Sequence, residues 1–170
     1  MKENIVIKIW LPFLLLMVTL LDSQLSNILR IAFENQYVIL SHFMLLGLIL
    51  ASLFFNQRYM TILSIILGLI IDNYYYGILG IWTVSLPITV SIAYWIFKYI
   101  KPSIPSLFLS LVIFITLLDS SAYFIQVVFG LIEGNFINFI ARELGPTLIM
   151  NIFFFVILAY PINKLLNRKR

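Results

Sequence analysis

The chain has 170 residues, of which 62% are hydrophobic and 11% charged, with a net charge of +4 and no cysteine. A soluble domain carries about 25% charged residues, so the polar side chains here cannot coat a water-soluble globule, and the expected solvent is a bilayer. Without cysteine there is no disulfide framework, thiolate metal site or cysteine nucleophile.

Helix 1 is predicted over Ile5 to Ser23. No small-x-small cleavage site precedes Asp22 and further apolar runs follow, so it reads as an uncleaved span. In Leu25 to Glu34, residues Leu25, Ile28, Leu29, Ala32 and Phe33 keep a helical period, with Arg30 and Glu34 off the stripe. That piece either lies in the interface or prolongs helix 1. Helix 2 is predicted over Tyr37 to Phe55, and the turn Asn56-Gln57-Arg58 is short enough to make helices 2 and 3 antiparallel neighbours. Helix 3, Tyr59 to Asp72, falls short of the roughly 20 residues a span needs, and its flanks, including Tyr74, Tyr75 and Tyr76, are expected to complete it. Helix 4 covers Ile78 to Phe97, with a kink expected at Pro87. Helix 5 covers Leu107 to Leu131, a second interfacial piece Phe136 to Leu144, and helix 6 runs from Pro146 to Leu166. The fold expected is an all-α integral membrane protein of six transmembrane helices, one polytopic domain over residues 1–170.

Orientation follows from the basic residues. Lys2, Lys8, Arg58, Lys98, Lys101, Lys164, Arg168, Lys169 and Arg170 fall on one side of six spans, and Arg30 and Arg142 on the other. Cytoplasmic loops retain Lys and Arg, which predicts both termini in the cytoplasm. These cations sit at helix ends, where they set topology and meet lipid head groups, so the positive charge does not indicate nucleic-acid binding.

Asp119 is the costliest residue to explain. It lies near the middle of helix 5, where a charge costs about 2.5–3.5 kcal/mol to insert. Thr116, Asp119, Tyr123 and Gln126 make one polar stripe. The stripe reads either as a proton relay, ligand contact or partner site, or as a hydrogen bond across helices. Asp72 ends helix 3 in a run containing Gly68, Gly77 and Gly80; these glycines permit close approach of helix backbones, or simply serve turns. His42 stands alone as the one histidine, which is too few ligands for a metal site. It is expected to be packed or hydrogen-bonded near the outer interface, and Asp22 to be an ordinary interfacial carboxylate. Leu20-Leu21-Asp22-Ser23 recurs as Leu117-Leu118-Asp119-Ser120, which reads as coincidence in a leucine-rich chain. No nucleophile elbow, His-Glu-x-x-His or phosphate loop is present, and no cofactor is expected.

The run Gly68-Leu69-Ile70-Ile71-Asp72, followed by Gly77-Ile78-Leu79-Gly80, resembles the Gly-Leu-x-x-Asp, spacer, x-Leu-Gly pattern of the rod shape-determining MreD family. Size, short loops and basic tail fit as well, while the three tyrosines depart from the small residues often found there. The resemblance implies a non-enzymatic membrane component of the cell-wall elongation machinery. Its implied partners are the bitopic protein MreC, a peptidoglycan polymerase and transpeptidase, and MreB where a filament exists. Gly68, Gly80, Ser85, Thr89, Asp119 and Tyr123 are the candidates for a groove accepting the MreC helix. The fold implied resembles the substrate-binding (S) component of energy-coupling-factor vitamin transporters, and such a component is the rival reading. Its pocket would draw on Asp72, Asn73 and the segment from Glu133 to Glu143. A more distant reading pairs Asp72 with Asp119 as an intramembrane aspartyl signal peptidase. The chain lacks that family's Asn-x-Gly motif and its four-span plan.

Overall fold

In the computed structural model residues 5–76 and 79–167 are described. Lys2, Gly77, Ile78 and the basic tail Arg168, Lys169 and Arg170 lie outside the described residues. The first predicted helix and the amphipathic piece after it form one helix, α1 (Ile5–Ala32). Nothing between Asp22 and Leu25 breaks a helix. At 1.5 Å per residue its 28 residues span about 42 Å, beyond the roughly 30 Å hydrocarbon core. Glu34 and Asn35 then take left-handed backbone angles (φ 52° and 59°), which ends it.

The second helix is shorter than expected. α2 (Phe43–Ser52) has 10 residues, and positions 38–42 precede it as non-helical chain. The physical reason is that neighbouring elements supply hydrogen-bond partners for this stretch, so its backbone needs no helix. α3 (Gln57–Ile71) starts on an Asn56 cap, whose side chain accepts from the Tyr59 N–H, and continues as a π-helical segment, Asp72–Tyr76. α4 (Ile81–Tyr99) contains Pro87, and α5 (Ile104–Val128) begins with a Ser103/Ser106 capping box around Pro105. The second interfacial piece is the short α6 (Phe136–Phe139) and a π-helical turn, Ile140–Leu144, which leads directly into α7 (Gly145–Asn167).

Among the described residues four runs are long and apolar enough to cross a membrane: Ile7–Ala32, Ile81–Tyr99, Ile104–Val128 and Phe136–Leu166. α2 is a shorter apolar helix, and α3 reaches the roughly 20 residues of a span only with its π-helical extension. α4 is central, packed most closely on α3 and also against α2 and α5; α1 packs on α2, and α7 on α5. Leu15, Met60, Leu86, Leu107, Phe114 and Leu118 fill the interior. Trp10, Phe13, Met17 and Leu21 of α1 face outward, as lipid-contacting residues do.

Basic residues stand at both ends of the bundle. At one end the Tyr59 hydroxyl donates to the Lys8 carbonyl (2.6 Å) and the Lys8 ammonium lies 4.9 Å from the Tyr59 ring centre. Gln57, Lys98 and Pro102 border a single hollow at that end. At the other end the Arg142 backbone carbonyl accepts from the Val38 N–H (2.8 Å), and Arg30 lines a hollow with the same extended segment.

The α3–α4 contact rests on Gly68. A methyl group there would lie 2.6 Å from Thr83 Cα, 2.7 Å from Thr83 N and 2.7 Å from the Trp82 carbonyl oxygen, all rigid backbone atoms. Gly68→Ala must therefore push the helices apart, at a cost of about 1–3 kcal/mol. At Gly47 the methyl group would meet only Leu15 Cδ2, at 3.0 Å, the movable end of a side chain. Thermal unfolding in mild detergent should show a clear drop in Tm for Gly68→Ala and a smaller one for Gly47→Ala.

Candidate functional site

The polar interior is organised by carboxylates at helix starts. A helix leaves its first N–H groups without partners, and its positive end favours an anion. Asp72, fully buried, occupies that position for α4. Its Oδ1 accepts from Trp82 N (2.8 Å), and its Oδ2 accepts from Gly80 N (2.8 Å), Thr83 N (3.0 Å) and Thr83 Oγ1 (2.8 Å). Gly80 permits the turn by taking φ +120°, a value that L side chains rarely adopt. Gly68 and Asp72, four residues apart, share one face of α3, so one brings α4 close while the other holds its first turn.

Asp22 serves α2 in the same way. It accepts from Ser41 Oγ (2.5 Å), Phe43 N (3.0 Å) and Met44 N (2.7 Å). The chain just before α2 is held from three directions. Ser41 N donates to Ser26 Oγ of α1 (2.9 Å), and Leu40 N to Thr147 Oγ1 of α7 (3.0 Å). His42 N donates to Asn151 Oδ1 (2.9 Å), whose amide nitrogen returns a bond to the Leu40 carbonyl (2.7 Å). From α5, Asp119 meets the His42 ring, with Nε2 3.1 Å from Oδ1 and 3.2 Å from Oδ2. Asp119 and His42 are both buried, and Glu143 lies within electrostatic range of the pair.

The predicted stripe on α5 divides. Asp119 alone of the four turns fully inward. Thr116 donates to the Val112 carbonyl (2.8 Å) and Gln126 to the Ala122 carbonyl (3.2 Å), each within its own helix. The Tyr123 ring stacks on Phe139 at 4.3 Å. Ser85 and Thr89 are buried in α4, and Thr89 donates to the Ser85 carbonyl (2.9 Å). Gly77 is outside the described residues. Asp72 and Asp119 have separate partners, the start of α4 and His42. Among the described residues no group of three or more His, Asp or Glu is arranged to hold a metal.

A family model for the rod shape-determining protein MreD matches residues 7–169. The chain belongs to the MreD family. It is similar to the rod shape-determining protein MreD of Bacillus subtilis (strain 168), 26% identical over 152 residues that cover 89% of this chain and 88% of that protein. No solved structure matches. The Gly-Leu-x-x-Asp run by which the sequence resembles the MreD family is, in this member, the close-contact and capping device of the α3–α4 hairpin.

Sequence reasoning missed the clamp made by Asp22, Ser26, Thr147 and Asn151. Thr147 and Asn151 stand four residues apart, a visible polar pair in apolar α7. The tetrapeptide set aside as coincidence places its two aspartates against adjacent residues, Asp22 on Ser41 and Asp119 on His42.

Asp72→Ala strands three N–H groups, and the expected loss is about 1–2 kcal/mol, read as reduced Tm in detergent, with Asp72→Asn intermediate. His42→Phe and Asp119→Leu each orphan a buried group, so the double variant should lose less than the two singles combined. The coupling expected is about 1 kcal/mol, measured by a double-mutant cycle in unfolding.

Proposed function

We propose that this chain is a non-enzymatic component of the cell-wall elongation machinery, which binds an MreC-like bitopic membrane protein and helps organise a peptidoglycan polymerase and transpeptidase. Where an MreB filament exists, it lies beneath the complex. Membership of a shape-determining family supports this reading. The observation that carries it is that Asp22, Asp72, His42 and Asp119 are all engaged in joining helices. What remains toward the bilayer is helix surface, through which association proceeds by packing and interhelical hydrogen bonds. Thr116, Tyr123 and Gln126 form the half-exposed edge of the proposed partner surface on α5, backed by Asp119. Gly68, Asp72, Gly80, Ser85 and Thr89 shape the α3–α4 side of it from within.

The proposed topology has six spans in the bacterial cytoplasmic membrane, α2 and α3 crossing with their non-helical and π-helical extensions. Both termini lie in the cytoplasm, because Lys8, Arg58 and Lys98 share an end. The fold proposed is similar to that of the S components of vitamin transporters.

Affinity purification from native membranes in mild detergent, followed by mass spectrometry, should recover a bitopic MreC-like protein and wall synthases. Gln126→Leu and Asp119→Leu should each reduce that recovery several-fold, Gln126→Leu without change in Tm. Recovery of paired ATPases with a transmembrane coupling subunit overturns the reading in favour of a transporter component.

A further inference from the structure

A cavity of about 380 Å³ lies between the C-terminal half of α1 and the segment leading into α2. It is large enough for a small-molecule site, for which about 300 Å³ is the lower end. Asp22, Ser26, Asn27 and Arg30 line it from α1, and His42 and Trp82 from the bundle. None of this space is used by the partner surface proposed above.

Three observations define what the cavity fits. First, the Trp82 indole N–H is buried with no hydrogen-bond partner, although Trp82 is only 8% exposed. A buried donor in that state calls for an acceptor. Second, the charges are balanced and separated. Asp22 is buried at the inner wall and Arg30 is exposed at the rim. Asp22 accepts three hydrogen bonds from side chain and backbone, whereas a carboxylate offers about four lone-pair sites. Arg30 donates to Asn27 Oδ1 (3.0 Å), one turn back along α1, and both line the cavity. Third, the depth suits a head group. α1 is about 42 Å long against a core of roughly 30 Å, so one of its ends reaches head-group level, and Ser23, Ser26, Asn27 and Arg30 lie in its C-terminal half beside the cavity.

We propose that this cavity binds a zwitterion carrying a phosphate and a primary ammonium group. The phosphate meets Arg30 and accepts the Trp82 N–H, and the ammonium donates to the open site on Asp22. Such a group has two sources, the head group of phosphatidylethanolamine or a free molecule such as phosphoethanolamine.

The test uses the full chain in nanodiscs of phosphatidylethanolamine and phosphatidylglycerol, with native mass spectrometry after extraction. The wild type should retain one phosphatidylethanolamine. Trp82→Phe keeps an aromatic ring and removes a donor with no internal partner, so retention should fall at least about fivefold, roughly 1 kcal/mol, alongside the small Tm loss that the smaller side chain brings in the core. Arg30→Gln, at an exposed side chain, should show the same loss. Phosphatidylcholine, whose quaternary ammonium donates no hydrogen bond, should not be retained. Retention of no lipid, with free phosphoethanolamine raising the Tm of the wild type but not of Trp82→Phe, supports the site and assigns the soluble source. Full retention in either variant, equal retention of phosphatidylcholine, or neither retention nor a Tm shift overturns the proposal and leaves a hydrated cavity.

Discussion

Backbone N–H and C=O groups shut away from water must find partners, and the short chain entering α2 is where that requirement shapes the molecule. Residues 38–42 leave the helical state inside a bundle of helices, and the N–H groups of Val38, Leu40, Ser41 and His42 are satisfied from outside. Ser26 comes from α1, Thr147 and Asn151 from α7, and the Arg142 carbonyl from the turn before α7. The same bonds tie the first helix to the last through this segment. Because apolar burial gives little net drive between helices in lipid, such polar ties and close packing at Gly68 hold the arrangement.

Two aspartates repeat one physical solution. Asp22 on α1 holds the start of α2, and Asp72 on α3 holds the start of α4. In each case a carboxylate from one helix satisfies the opening N–H groups of the next, turning a sequential pair into a locked hairpin. Asp119 on α5 departs from the pattern: it reaches back to His42 instead of forward to α7. It thereby joins the third helical pair to the first. Asp22, Asp72, His42 and Asp119 are thus all occupied as joints between elements of a chain that belongs to a shape-determining family.

Much of the fold was legible in the sequence, for reasons that can be named. Apolar length marked the long helices, and the predicted start of helix 5 at Leu107 lay three residues from the observed Ile104. Asp119 was legible as an inward residue because a charge facing lipid is too costly. Its partner was not, because His42 lies 77 residues away and one sequence carries no sign of which helix faces which. Helix 2 was drawn too long at its start for the same reason. Its first residues are apolar enough to be helical, and only side chains from α1 and α7 make another backbone state cheaper. Asp72 was read as a polar helix end with glycine turns, and the family resemblance drew attention to it; its four bonds into α4 appear only once the hairpin closes.

The sequence by itself determined the apolar character, the places of the long apolar helices, the uneven distribution of basic charge along the chain and the motif that resembles the family's. All of these depend on composition and on residues near one another in the chain. Tertiary structure alone decided that Gly68 faces the backbone of Thr83, that Asp22 and Asp119 converge on successive residues, and that Trp82 borders a polar cavity beside α1. Those outcomes depend on distances between segments far apart in sequence, set by which helices pack together and by the demand that every buried polar group find a partner.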